Sequence, residues 1–494
     1  MDKQQHQSDI TAKVLYGARW SAMLRVTGQM VSWLSTIIVV RFIRPEDYGL
    51  NAMLEAPLEL LMLLSAFGLD LALVRWKTIE QEELRSVFGW LLVINGLLFL
   101  VYFFGGSVMA AYFDEPRLES LAQVLAFVFI LAPFRVIPNA LLDRNLKFKL
   151  RALAEFIANI SAAIATLVLA ILGWGVWALV WGMLINRILL AVILMFLEPW
   201  FIMPSLNFSA VRAMMAFGGV LSLGGAVVLI TDKLATLIAG PVLGAELLGI
   251  FAVTFQFALL PLAKMMPVIN PIIFPAFSKF QDQPGVATYY LSKSLGIVSL
   301  ALFPVMIGLA CIAQEFVATV LGNKWTAVAL PLALLSTVMP FRMTTSFLRP
   351  VLASMGRADL SLKSAVFALV ILLPLVLVGA HYGVMGLVMA MVVTELIVVF
   401  LTIGMSKAVL HTSFIGIARS LRPAIVGSTV MAACLMAVKA AFVSAFGGSA
   451  SLGVLLIEIS FGALVYFLTL RILYGKLLDD TIRLFLGRNR GLIV

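Results

Sequence analysis

The sequence predicts an all-α polytopic membrane protein of about 14 transmembrane helices, built as two pseudo-symmetric six-helix lobes followed by two further helices. Three observations predict it. Apolar runs of about 20 residues follow one another almost without a break, each long enough to cross a hydrocarbon core of roughly 30 Å as a helix. Charged residues make up only 12% of the chain against 62% hydrophobic, where soluble domains carry about a quarter charged. Short motifs of the first half also return in the second at a nearly constant offset. No alternation of period two, the mark of a membrane barrel, competes with this reading.

Taken in order, the apolar runs place spans near 17–42, 47–74, 84–111, 118–141, 151–173, 175–197, 210–240, 245–277, 289–314, 326–350, 361–380, 383–406, 415–444 and 450–471. The N-terminus carries Asp2, Lys3, Gln4, Gln5 and Gln7 and no small-residue cleavage site, so no removable signal peptide is expected and the first span stays. Three bodies follow: a lobe over 1–200, a second over 201–408, and two extra spans with a tail over 409–494. From Tyr474 to Arg490 the apolar Leu477, Leu478, Ile482, Phe485 and Leu486 alternate with basic residues, which predicts an interfacial amphipathic helix.

The net charge of +10 raises the question of nucleic acid, but the distribution answers it. Lys and Arg gather in alternate loops, among them Arg144, Lys147, Lys149 and Arg151, then Arg349, Arg357 and Lys363, then Lys407, Arg419 and Arg422. By the positive-inside rule both termini are cytoplasmic, which an even number of spans requires. Cys311 and Cys434 lack metal or redox spacing and the three histidines are scattered, so neither a metal site nor a disulfide framework is expected. No GxxxxGK[ST] phosphate loop is present, which excludes ATP hydrolysis by that route.

The internal repeat rests on three matches. Arg44-Pro45-Glu46-Asp47-Tyr48-Gly49 matches Gly244-Ala245-Glu246-Leu247-Leu248-Gly249; Pro133-Phe134-Arg135 matches Pro340-Phe341-Arg342; Gly175-Val176-Trp177-Ala178-Leu179-Val180 matches Gly383-Val384-Met385-Gly386-Leu387-Val388. The shared register argues for two lobes of one topology related by an axis along the membrane normal, as in parallel-repeat transporters.

Arg25, Glu55, Glu59, Arg187, Asp232, Lys233, Lys264 and Glu395 lie deep inside apolar runs. Ionisable groups there are costly unless they face a bundle interior or a wet cavity, which makes them functional candidates. Glu55 and Glu59 share a helical face with Pro57 between them, whose missing N–H kinks the helix. Arg187 and Glu395 are repeat equivalents and are expected to pair structurally, each within its own lobe; Arg135 and Arg342 read as lobe architecture and head-group contacts. Gly218, Gly219, Gly224 and Gly225 soften span seven, and Pro261, Pro267, Pro271 and Pro275 interrupt span eight, the pattern of broken helices at a transporter gate.

Gly17-Ala18-Arg19-Trp20, then Arg44-Pro45-Glu46-Asp47-Tyr48-Gly49, then Ala66-Phe67-Gly68-Leu69 resemble the opening of the polysaccharide transporter (Wzx-type flippase) family of the multidrug/oligosaccharidyl-lipid/polysaccharide exporter superfamily. Pro340-Phe341-Arg342 and Ala353-Ser354-Met355-Gly356-Arg357 look like its exopolysaccharide branch, such as colanic-acid exporters. The resemblance implies a V-shaped pair of lobes whose first, second, seventh and eighth helices line a central cavity. It also implies a cargo of undecaprenyl-diphosphate-linked oligosaccharide, turned from the inner to the outer leaflet of the bacterial inner membrane by alternating access.

On that reading Arg25, Lys264, Lys233 and Arg19 are the cargo-facing cations, by bidentate or point-charge contact with phosphate. Glu55, Glu59 and Asp232 are candidates for coupling a proton or sodium ion, and Pro57 with the glycines and prolines of spans seven and eight are the hinge. Partners are the lipid-linked oligosaccharide and membrane lipids, with a polysaccharide polymerase left open and no cofactor. The rival readings are a cation-coupled multidrug antiporter of the same superfamily, and a membrane glycosyltransferase or polymerase. The second lacks a long outer loop to hold sugar beside catalytic groups, so no enzyme activity is expected.

Overall fold

The computed structural model describes residues 24, 27–28, 31–32, 34–76, 79–200, 202–446 and 451–485. Apart from short π and 3₁₀ turns, the elements described are α-helices, and the protein is a multi-pass membrane protein of the expected class. Among the described residues, 11 helical stretches are long and apolar enough to cross a membrane. Two of these, Gly225–Asn270 (46 residues) and Ala358–Leu410 (53 residues), far exceed the roughly 20 residues one crossing needs. Each contains a glycine at positive φ, Gly244 (φ 73°) and Gly383 (φ 73°), so the chain reverses there and crosses twice. The first expected span, 17–42, is described continuously from residue 34 onward, and much of its earlier part lies outside the described residues.

The chain divides into two compact units, Met1–Gly249 and Ile250–Val494. In the first, helix Pro45–Ala66 starts with proline at its first turn and with Glu46 and Asp47 placed to favour the helix dipole; it ends at Phe67 and Gly68, both left-handed. Helix Gln81–Phe113 opens with a capping box in which Glu80 and Glu83 satisfy each other's backbone donors. Arg117–Leu125, Phe127–Leu131 and Pro133–Arg144 divide one crossing into three short helices.

Helices Phe148–Ile171 and Val176–Leu197 pack closely because small residues line the contact. Ala154, Ala158 and Ala162 are buried at four-residue spacing, and a Cβ on Gly182 would stand 1.8 Å from the Thr166 hydroxyl. Lipid gives helices no hydrophobic reason to associate, so backbones held close by small side chains supply the packing. The opposite faces leave Ile164 and Phe196 exposed, and helix Gln81–Phe113 likewise exposes Phe104 and Val108, as a hydrocarbon solvent permits.

In the second unit, helices Pro284–Cys311, Ala329–Ser354, Ala358–Gly379 and Gly383–Leu410 pack together, followed by Phe414–Phe446 and Leu452–Phe485. Met431, Leu435, Tyr466 and Leu470 knit the last two helices, and the Tyr466 hydroxyl donates to the Leu300 carbonyl at 2.9 Å. The last helix bends at Tyr474 (φ −136°), where the sequence starts the interfacial tail; residues 486–494 of that tail lie outside the described region.

The repeat shows in local geometry. Gly175 and Gly383, equivalent in sequence, both take positive φ at the start of a helix. Pro261, Pro267, Pro271 and Pro275 leave a difference from expectation: the backbone within Phe208–Ser278 departs from helical angles at Gly244 and stays helical through all four prolines. Inside a membrane bundle a proline costs one hydrogen bond and bends the helix without ending it.

Candidate functional site

The first unit gathers ionisable side chains inside its apolar helices. Helix Pro45–Ala66 carries Glu55 about 15 Å from its start, at 1.5 Å per residue, which is near the middle of a crossing. Asn51, one turn earlier, donates from its amide to Glu55 Oε1 at 2.9 Å. Pro57 lies between Glu55 and Glu59 without breaking the helix. In the turn it disrupts, the buried Tyr102 hydroxyl donates to the Leu54 carbonyl at 2.9 Å.

One turn beyond Glu55, Glu59 Oε1 accepts from Lys233 Nζ at 3.0 Å, joining the second expected span to the seventh. The Glu59 side chain keeps 41% of its surface accessible and Lys233 22%, so this pair borders space that another group can enter. Its neighbour Asp232 sits about 100° around the helix and has its own contacts. Gly225, two turns earlier, would place a Cβ 3.7 Å from Leu63, so these helices pack as well as pair.

Arg187, on helix Val176–Leu197, lies within electrostatic reach of Glu59, and Arg135, on the packed helix Pro133–Arg144, within reach of Arg187. In the second unit the equivalent positions form a closed pair: Arg342 donates to Glu395 Oε1 at 2.6 Å and lies 5.7 Å from the Phe255 ring centre. The pairing expected for Glu395 is therefore present, whereas Arg187 makes no ion pair among the described residues and its buried Nε has no hydrogen-bond partner.

Of the other predicted residues, Arg19 and Arg25 lie outside the described region. Lys264 is half-buried in the second unit, between a buried Pro261 and an exposed Pro267. Gly218, Gly219 and Gly224 fall within the Phe208–Ser278 helix. Sequence reasoning missed one cluster. Lys439 contacts Glu315 and, at 3.8 Å, Glu458, and donates to the Cys311 carbonyl at 2.6 Å. The signal was available, since Lys439 and Glu458 are ionisable residues within the last two apolar runs.

Residues 38–330 match the family described as polysaccharide biosynthesis protein. The chain belongs to that family. Among its relatives, the lipopolysaccharide biosynthesis protein WzxC of Escherichia coli K12 is 26% identical over 407 residues, covering 81% of this chain and 82% of that one. The teichuronic acid biosynthesis protein TuaB of Bacillus subtilis is 23% identical, covering 71% and 73%, and the succinoglycan biosynthesis transport protein ExoT of Rhizobium meliloti is 24% identical, covering 62% of each.

Among solved structures, the lipid II flippase MurJ in an inward closed conformation superposes with a TM-score of 0.76 at 16% identity, covering 93% of this chain and 99% of that one. An inward-facing multidrug resistance transporter of the MATE family gives 0.63 at 15% identity, covering 79% and 98%. At such identity the likeness establishes a fold that this polysaccharide biosynthesis family shares with both.

Proposed function

We propose that this protein is a flippase that moves undecaprenyl-diphosphate-linked oligosaccharide from the inner to the outer leaflet of the bacterial inner membrane, with both termini in the cytoplasm. Family membership supports a role in polysaccharide biosynthesis. The observation that carries the reading is the accessible Lys233–Glu59 pair with Arg187 within electrostatic reach of Glu59. A diphosphate loses its hydration and counter-ions in hydrocarbon, and fixed cations beside a wet path replace part of both. Arg19, Arg25 and Lys264 are the further cargo-facing cations of this proposal, and the cargo's lipid tail stays in the bilayer throughout alternating access.

Glu55 is the better placed coupling acid. Glu59 is held by Lys233, whereas Glu55 accepts from the neutral amide of Asn51 and can exchange a proton or sodium ion without breaking a salt bridge. Asp232 and a polymerase that takes over the delivered units complete the proposal, with Pro57 and the glycines of the seventh span as the bending points.

The test is deletion of the gene, with extraction of lipid-linked repeat units and identification of their sugars. Accumulation on the cytoplasmic side, relieved by the wild-type chain and not by Arg25→Ala or Lys264→Ala at equal protein level, is the expected result. Normal polymer output from both variants overturns the assignment of the cations. The fold alone also accommodates multidrug export, so drug susceptibility in a host stripped of its exporters is the discriminating assay; protection there, with no lipid-linked intermediate accumulating on deletion, would overturn the flippase reading.

A further inference from the structure

The two halves of the repeat treat one position in opposite ways. In the second half Arg342 faces Glu395 across helices Ala329–Ser354 and Gly383–Leu410, and the pair is neutral. In the first half the equivalent positions, on the packed helices Pro133–Arg144 and Val176–Leu197, hold Arg135 and Arg187, two cations within electrostatic reach of each other. Among the described residues neither guanidinium forms an ion pair or a hydrogen bond, and Arg187 Nε is buried without a partner.

The acids nearby are engaged elsewhere. Glu59 is taken by Lys233 at 3.0 Å, and Glu155, within reach of Arg135, is taken by Arg151 at 2.9 Å. Arg151 also holds Asp143. Asp70 lies within reach of Arg135 without pairing to it. Two guanidiniums on packed helices, within electrostatic reach of each other, present ten N–H donors and a repulsion that an oxyanion held by both would relieve, and an arginine fork matches the spacing of phosphate oxygens.

We propose that Arg135 and Arg187 form a phosphate-type oxyanion subsite inside the first unit, at the place where the second unit is sealed by Arg342 and Glu395. Resting on the flippase reading, the subsite takes the diphosphate of the cargo lipid, and the charge swap between repeats confines that group to one half of the protein. Arg135 and Arg187 are then binding residues, and Arg342 and Glu395 their structural counterpart.

The full-length protein in nanodiscs of zwitterionic lipid tests this with two probes, undecaprenyl diphosphate and inorganic pyrophosphate. Arg135→Gln and Arg187→Gln are each expected to weaken binding of both about tenfold, the loss of one charge-assisted hydrogen bond. Arg187→Glu is the decisive variant because it copies the second half's neutral pair: it should melt at or above the wild-type temperature while losing both ligands. A merely structural role predicts the reverse, destabilisation with binding intact. Variants that bind undecaprenyl diphosphate within twofold of wild type overturn the subsite and leave the flippase reading standing. Binding of pyrophosphate alone, lost in the variants, upholds the subsite and overturns the cargo. In discs containing phosphatidylglycerol, competition lost in Arg187→Glu would identify an ordinary lipid headgroup as the occupant and overturn the cargo assignment.

Discussion

Arg342 and Glu395 show what an ion pair inside a membrane helix bundle does. Their side chains are 17% and 12% exposed, so neither charge can recover hydration if its partner is removed. Arg342→Ala is therefore expected to destabilise the purified protein by about 3–5 kcal/mol, the cost of stranding a buried charge. The double variant Arg342→Met with Glu395→Gln should recover most of that loss, because an uncharged pair of similar volume needs no compensation. Denaturation in detergent reads both, and equal instability of the single and double variants would sink the argument. That Glu395 pairs within its own lobe was legible from its depth in an apolar run, but its partner was not, since Arg342 reads from sequence as a lobe-architecture and head-group residue. Nor was the partner of Glu59: Lys233 lies on a distant span, and nothing in local sequence says which of several intramembrane cations turns toward it.

At the scale of elements, the repeated Arg44–Gly49 and Gly244–Gly249 motifs do more than repeat; they touch. A Cβ on Gly49 would lie 1.7 Å from the Ala245 carbonyl oxygen, and one on Gly249 would lie 1.7 Å from that of Pro45. Each glycine is thus required by the backbone of the other motif. Gly49→Val and Gly249→Val are expected to cost about 1–3 kcal/mol each as the helix ends are forced apart. A stability series of Ala and Val at both positions checks this, and a flat series would show the contact to be absent. The sequence displayed the two motifs but not their meeting, since proximity across a repeat axis leaves no local signal.

The Lys439 cluster makes a second prediction at this scale. Its side chain is 16% exposed between Glu315 at 20% and Glu458 at 10%, and it ties helices Phe414–Phe446 and Leu452–Phe485 to the short helix Ala313–Phe316. Lys439→Met leaves two carboxylates facing each other with their common cation gone, for an expected loss of about 3–5 kcal/mol. Adding Glu458→Gln should restore part of it. No rescue would mean that Lys439 acts through packing of its stem.

For the whole molecule the proposed cycle is a movement of charge, and its dependence on membrane potential counts the charges moved. Carrying a diphosphate of charge −2 outward against an inside-negative potential gains about 2.3 kcal/mol per charge per 100 mV, so uncoupled flipping shifts the leaflet ratio of cargo by roughly three decades at 100 mV. A monovalent cation entering in exchange adds a third charge to the slope, whereas one leaving with the cargo reduces the slope to one. Glu55, whose side-chain hydrogen bond among the described residues is to the neutral amide of Asn51, is positioned for the first case. In proteoliposomes with a potassium diffusion potential, the wild-type leaflet ratio is expected to vary as three charges and that of Glu55→Gln as two. A slope of two in both would remove Glu55 from coupling and leave the transporter intact. A slope of zero in both would mean that no net charge crosses, and the electrostatic account of the cargo would fail with it.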